Sequence, residues 1–136
     1  MTYRCEFFDI RELVPKHVHQ ERGEKAWALL DPYALQTLDQ LRQQFGPLMV
    51  NNWHREGQRN WSGLRTQGSP YGSEYSQHRF GRAFDCISMG GLTADTMRNY
   101  ILKNPDKFPY LNALEMGVSW LHFDTRNCER IFTFNP

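Results

Sequence analysis

The sequence lacks any apolar run near the ~18 residues of a membrane span. It also has no CxxC pair, no internal repeat, no low-complexity tract and no marked excess of either charge. Its 16 basic and 15 acidic residues nearly cancel, so bulk charge argues for neither nucleic acid nor an anionic membrane surface as a partner. Three widely spaced cysteines, Cys5, Cys86 and Cys128, suit mostly buried, reduced thiols and cytoplasmic synthesis. The N-terminal "MTYRCEFFDIRELV" places charges where a signal peptide needs an apolar stretch, which predicts no export signal.

What is present is enough for one domain, since 136 residues fall within the ~100–150 that a single core typically uses. Aromatic residues make up 14% of the chain, which suits a ligand cleft. "FFDIRELVP" predicts a short helix with Asp9 near its start and Pro15 beyond its end, and the polar "KHVHQERGEK" predicts a loop. In "DPYALQTLDQLRQQFG", Asp31 is an N-cap and Pro32 fits the first turn. Leu35, Leu38, Leu41 and Phe45 then make an apolar stripe that ends at Gly46.

"PLMVNNW" reads as a strand that runs into a long polar loop over 54–75, a cleft wall carrying Trp61, Arg65 and Tyr71. "RAFDCIS" is a strand, and "TADTMRNYILKNP" a helix capped by Thr93 and stopped by Pro105. "NALEMGVSWLHFDTRN" reads as two strands joined at Met116 and Gly117, and "RIFTFNP" as a last strand.

The segment "SQHRFGRAFD" concentrates the chemistry. A hydrolytic zinc site takes about three protein ligands from His and Asp or Glu and leaves one position for water. His78 and Asp85 supply two; Gly81 lets the backbone turn between them, and Ala83 keeps the adjoining position small, so that an exposed histidine and a strand-borne aspartate converge on one ion. In "SWLHFD" the two-residue strand period sends His122 and Asp124 into the cleft and packs Leu121 and Phe123 behind it. His122 is then the third ligand, with Asp124 as its orienting neighbour. His17 and His19 form an HxH pair without a nearby acid motif and are read as surface. Cys86 turns away from the metal and Cys128 lies in a polar turn.

The pattern Ser76-x-His78-x-x-Gly81-x-Ala83-x-Asp85, followed by Trp120-x-His122-x-Asp124, resembles the zinc D-alanyl-D-alanine carboxypeptidase and endopeptidase superfamily, whose fold hedgehog signalling domains share. The resemblance covers about residues 30–130. It implies a small α+β domain with a central antiparallel sheet flanked by helices, and Zn2+ held by His78, Asp85 and His122. It also implies hydrolysis of peptidoglycan stem peptides as carboxypeptidase or endopeptidase. Compact members without a signal peptide resemble bacteriophage enzymes, so the expected place of action is the bacterial cell wall, after release or as part of a phage particle. The expected protein is a monomer, with stem peptide as its partner and neither nucleic acid nor membrane.

Many members of the superfamily carry a carboxylate three residues before the last histidine, where this chain has Ser119. The resemblance then leaves Glu115 as first choice for the base, near the offset of a hedgehog-type glutamate, with Asp124 as second. The family's upstream arginine falls to Arg65 or Arg55, with Arg65 preferred because it lies nearer His78 and its guanidinium fork suits a carboxylate or oxyanion. Trp53, Trp61, Tyr71 and Trp120 are candidate cleft residues. Ser119 also keeps open a zinc-binding module without turnover, or a structural phage component.

Overall fold

The structure, a computed structural model, describes residues 2–136. After a 3-10 turn at Ile10–Glu12, capped by Asp9, come three α-helices: α1 (Lys16–Arg22), α2 (Pro32–Phe45) and α3 (Ala94–Lys103). Five strands complete the fold: β1 (Leu48–Met49), β2 (Ala83–Ser88), β3 (Ala113–Glu115), β4 (Leu121–Asp124) and β5 (Phe132–Phe134). They form one sheet in the order β1-β2-β4-β3-β5. The result is a small α+β domain around one apolar cluster reaching from Phe8 to Phe123.

Helix α2 forms as its stripe predicts. The Asp31 carboxylate accepts from the Ala34 N–H at 3.1 Å, and Leu35, Leu38 and Leu41 are fully buried. Thr93 caps α3 in the same way, accepting from the Thr96 N–H. Asp31 also anchors the helix to the sheet, because its N–H donates to the Gly81 carbonyl and its carboxylate accepts from the Thr125 hydroxyl.

Two expectations about helix content and strand pairing are corrected. The segment read as a polar loop contains helix α1, which needs only Val18 in the core because its Lys, Gln, Glu and Arg residues are good helix formers facing solvent. The sheet is mixed rather than purely antiparallel. β1–β2, β2–β4 and β3–β4 pair antiparallel, but β5 pairs parallel with β3, Ala113 opposite Phe132 and Glu115 opposite Phe134. The loop after β4 reverses the chain but carries it past β3 to that strand's outer edge, so β5 opposes β4 and runs with β3. Arg130 holds this loop by donating to the carbonyls of Pro105, Phe108 and Leu111.

The strand expected from "PLMVNNW" ends at Met49 because two asparagines divert the backbone. Asn51 accepts from the Ser62 N–H and Asn52 from the Arg59 N–H, folding the long loop back onto the end of β1.

Candidate metal centre

Strand register builds the site. β2 and β4 pair Asp85 with His122, Phe84 with Phe123 and Ala83 with Asp124. Phe84, Cys86, Leu121 and Phe123 therefore enter the core, while Asp85, His122 and Asp124 share the opposite face. β3 pairs Leu114 with Phe123, which brings Glu115 beside His122, and β5 adds Phe134 beside Glu115. Asp85, His122, Glu115 and Phe134 thus make one row across four strands. Ala83 is small where it faces Asp124.

His78 arrives from outside the sheet, on a 3-10 turn over Gln77–Phe80 that Gly81 closes in the left-handed region at φ 69°. A Cβ on Gly81 would lie 2.3 Å from the Leu29 carbonyl oxygen, so close approach as well as backbone sign requires glycine there. Contrary to expectation, His78 is buried, because its backbone and ring are both tied to the long loop. Its carbonyl accepts from the Arg65 N–H, and its Nδ1 lies 2.9 Å from the Gly63 carbonyl oxygen. Gly63 in turn sits so close to Leu13 that a Cβ would meet the Leu13 oxygen at 2.1 Å.

Together His78, Asp85 and His122 form a group that can hold a metal ion, with one ligand atom from each lying within 4.8 Å of the others. Asp85 Oδ1 is 3.2 Å from His78 Nε2 and 2.9 Å from His122 Nδ1. The other nitrogen of each ring faces an acceptor: Gly63 O for His78, and Asp124 Oδ2 at 2.9 Å for His122. An N–H on each outer nitrogen leaves the inner nitrogens as lone-pair donors, the arrangement in which imidazole binds metal.

In the metal-free chain the charges of this group depend on one another. Burial alone raises the Asp85 carboxyl, but His78 and His122 outweigh it and hold Asp85 well below the usual carboxylate range. Burial alone lowers His122, yet its bonds to Asp124 and Asp85 prevail and lift it to about 9 in the metal-free chain. Asp124 is pushed up by burial and pulled down further by Arg126 and His122, to about 2. Both Asp124 oxygens are occupied: Arg126 donates from Nε at 2.7 Å and Nη2 at 2.6 Å, and His122 Nε2 faces the second oxygen.

Among the other candidates, Glu115 lines the same cleft as His78, Asp85 and His122, and no side-chain hydrogen bond or ion pair to another described residue engages its carboxylate. Arg65 reaches the site, donating Nη2 to Asp85 Oδ2 at 3.2 Å and Nε to the Trp61 carbonyl. Arg55 lies elsewhere, exposed beside Glu12 and Met89. Trp61, Tyr71 and Trp120 line the cleft, while Trp53 packs on His19 and donates to the Val14 carbonyl. His17 and His19 lie on α1, where His17 contacts Thr66 and Trp61.

The cleft has two lobes that share Arg65, Tyr71, Asp85 and Trp120: one of about 500 Å³ beneath Trp61, and one of about 440 Å³ containing His78, His122 and Glu115. Sequence reasoning missed Arg126, Arg59 and the Gly63 carbonyl. Only Arg126 had a local signal, two residues beyond Asp124. No helix among the described residues is long and apolar enough to cross a membrane. Comparison with protein-family models, with curated proteins and with solved structures finds no match to this chain.

Proposed function

We propose that this chain is a zinc-dependent peptidoglycan peptidase of the D-alanyl-D-alanine carboxypeptidase and endopeptidase type, with a hedgehog-type fold. The observation that carries this reading is the His78–Asp85–His122 cluster, with an acceptor facing the outer nitrogen of each ring and, next in the cross-strand row, Glu115, a carboxylate without a partner among the described residues. Two imidazoles and one carboxylate fit zinc, which accepts such N and O donors and leaves a position for water in catalytic sites.

Zinc bound there would lower the pKa of a water towards ~7 and polarise the scissile carbonyl. Glu115 takes a proton from the attacking water at Oε and delivers it to the leaving amine nitrogen as the C–N bond breaks. Asp124 has no free oxygen for that task; it orients His122 through Nε2, and Arg126 holds Asp124. Arg65 fixes the outer oxygen of Asp85 and keeps further N–H groups for a substrate carbonyl. Trp120 and Tyr71 line both lobes of the cleft that would receive the peptide.

The test is incubation of zinc-loaded protein with peptidoglycan, followed by mass spectrometry of the released fragments. Release of D-alanine or stem-peptide fragments is expected; no cleavage by fully loaded protein would leave the non-catalytic zinc-binding module, or a phage-particle component, as the better reading. Ser119 in place of an acid favours that second reading. The expected place of action is the bacterial wall, reached after release or on a phage particle.

A further inference from the structure

Arg59 differs from the other arginines of the cleft. Arg65 is matched by Asp85, and Arg126 by the fork of Asp124. Arg59 has no carboxylate partner among the described residues. Its Nε donates to the Val50 carbonyl at 2.7 Å and its Nη2 to the Asp85 carbonyl at 3.4 Å, both neutral acceptors. These bonds immobilise the guanidinium without neutralising it.

The surroundings of Arg59 do not offset its charge. It lines the 500 Å³ lobe, where the charged residues are Arg59, Arg65 and Asp85. Asp85 cancels Arg65, which leaves one positive charge, that of Arg59. Two neighbouring amide side chains keep donors without partners among the described residues. The Gln58 side chain is unengaged, and Asn60 uses only its oxygen, on the Lys16 N–H. The binding of Arg59 to the Asp85 carbonyl places it one backbone group from a residue of the metal cluster. A half-buried, fixed, unmatched guanidinium beside donor amides is suited to a carboxylate.

We infer that Arg59 receives a carboxylate of the substrate, so that the peptide enters the Trp61 lobe with an acidic group close to the bond that is cut. The inference rests on the peptidase reading and deepens it by requiring an acidic substrate on one side of the cluster. In a stem peptide the carboxylate has two sources, the C-terminus and the α-carboxylate of a γ-linked glutamate.

Binding separates them without turnover. Tryptophan fluorescence of the zinc-loaded Glu115→Gln chain is titrated with the pentapeptide L-Ala-γ-D-Glu-L-Lys-D-Ala-D-Ala. The same titration uses this peptide amidated only at its C-terminus, or only at the glutamyl α-carboxylate. At least one amide should bind about tenfold more weakly, a typical loss for one charge-assisted contact, and the amide affected names the carboxylate. Adding Arg59→Gln should abolish that difference by weakening the acid rather than the amide. Arg59→Met serves if thermal melting shows that the glutamine variant does not fold. Amides that bind as tightly as the acid, or an amide penalty that survives loss of Arg59, would overturn the assignment. Failure of wild-type protein to hydrolyse any stem peptide would instead overturn the peptidase reading, because the binding comparison does not depend on turnover.

Discussion

Asp85 and His122 face each other at paired positions of β2 and β4, with Oδ1 and Nδ1 2.9 Å apart. In the metal-free chain this contact is a buried ion pair; Asp85 and His122 are also two of the residues that would hold a metal ion. The first prediction follows from that double use. The chain should bind about one zinc ion, and His78→Ala, Asp85→Ala or His122→Ala should each abolish stoichiometric binding. Elemental analysis and melting with and without zinc check this, since an ion bound only by the folded state raises Tm by mass action.

Glu115 should separate chemistry from metal binding. Glu115→Gln is expected to keep the fold and the zinc and to lose ~10²-fold or more in turnover, the usual scale for a general acid–base group. Wild-type cleavage rates in this variant would remove Glu115 from the mechanism.

Asp124→Asn should act the other way. With both carboxylate oxygens occupied by Arg126 and His122, the main effect should be on the ion, as zinc affinity ~10–100-fold weaker. Competition with a chromogenic chelator measures it. An unchanged affinity together with lost turnover would make Asp124 the base instead.

The metal-free protein should also be pH-sensitive. The folded pKa of His122, about 9, stands above the ~6.5 of an unfolded histidine. The stabilisation from charged His122 is therefore fully present below ~6.5 and is lost as pH rises through about 9. Metal binding must expel this proton, so apparent zinc affinity should strengthen as pH rises towards about 9. Melting curves in chelator and zinc titrations across this range should move in opposite directions.

A control lies far from the site. Buried Asp39 accepts from the Tyr3 hydroxyl at 2.7 Å, the Glu6 N–H at 2.8 Å and the Phe7 N–H at 3.2 Å, clamping the N-terminal segment to α2. Asp39→Ala should cost ~1–3 kcal/mol, as for buried groups left without partners, with zinc affinity unchanged. Urea denaturation checks the first part and chelator competition the second.

What could be read directly from the sequence was local. The leucine spacing of α2, its Asp31 cap, and the alternation in "AFDCIS" and "LHFD" each lie within one element, so the helix, the two strands and the faces of Asp85, His122 and Asp124 follow from them. Helix α1 was hidden because a helix with one buried residue shows no apolar period. The parallel pairing of β5 depends on where a loop crosses the sheet edge, which no spacing encodes. Arg59 escaped because its distinction is relational: unlike Arg65 it has no acid beside it, and unlike Arg55 it lines the cleft.

The contact between Gly63 and Leu13 reaches further than local packing. Leu13 accepts from the Leu64 N–H at 2.8 Å, and the adjoining Gly63 carbonyl aims the His78 ring. The opening residues are thus the back plate against which His78, far along the chain, is aligned. A truncation at residue 15, made to tidy the N-terminus, would leave His78, Asp85 and His122 in the chain and unaim the first of them.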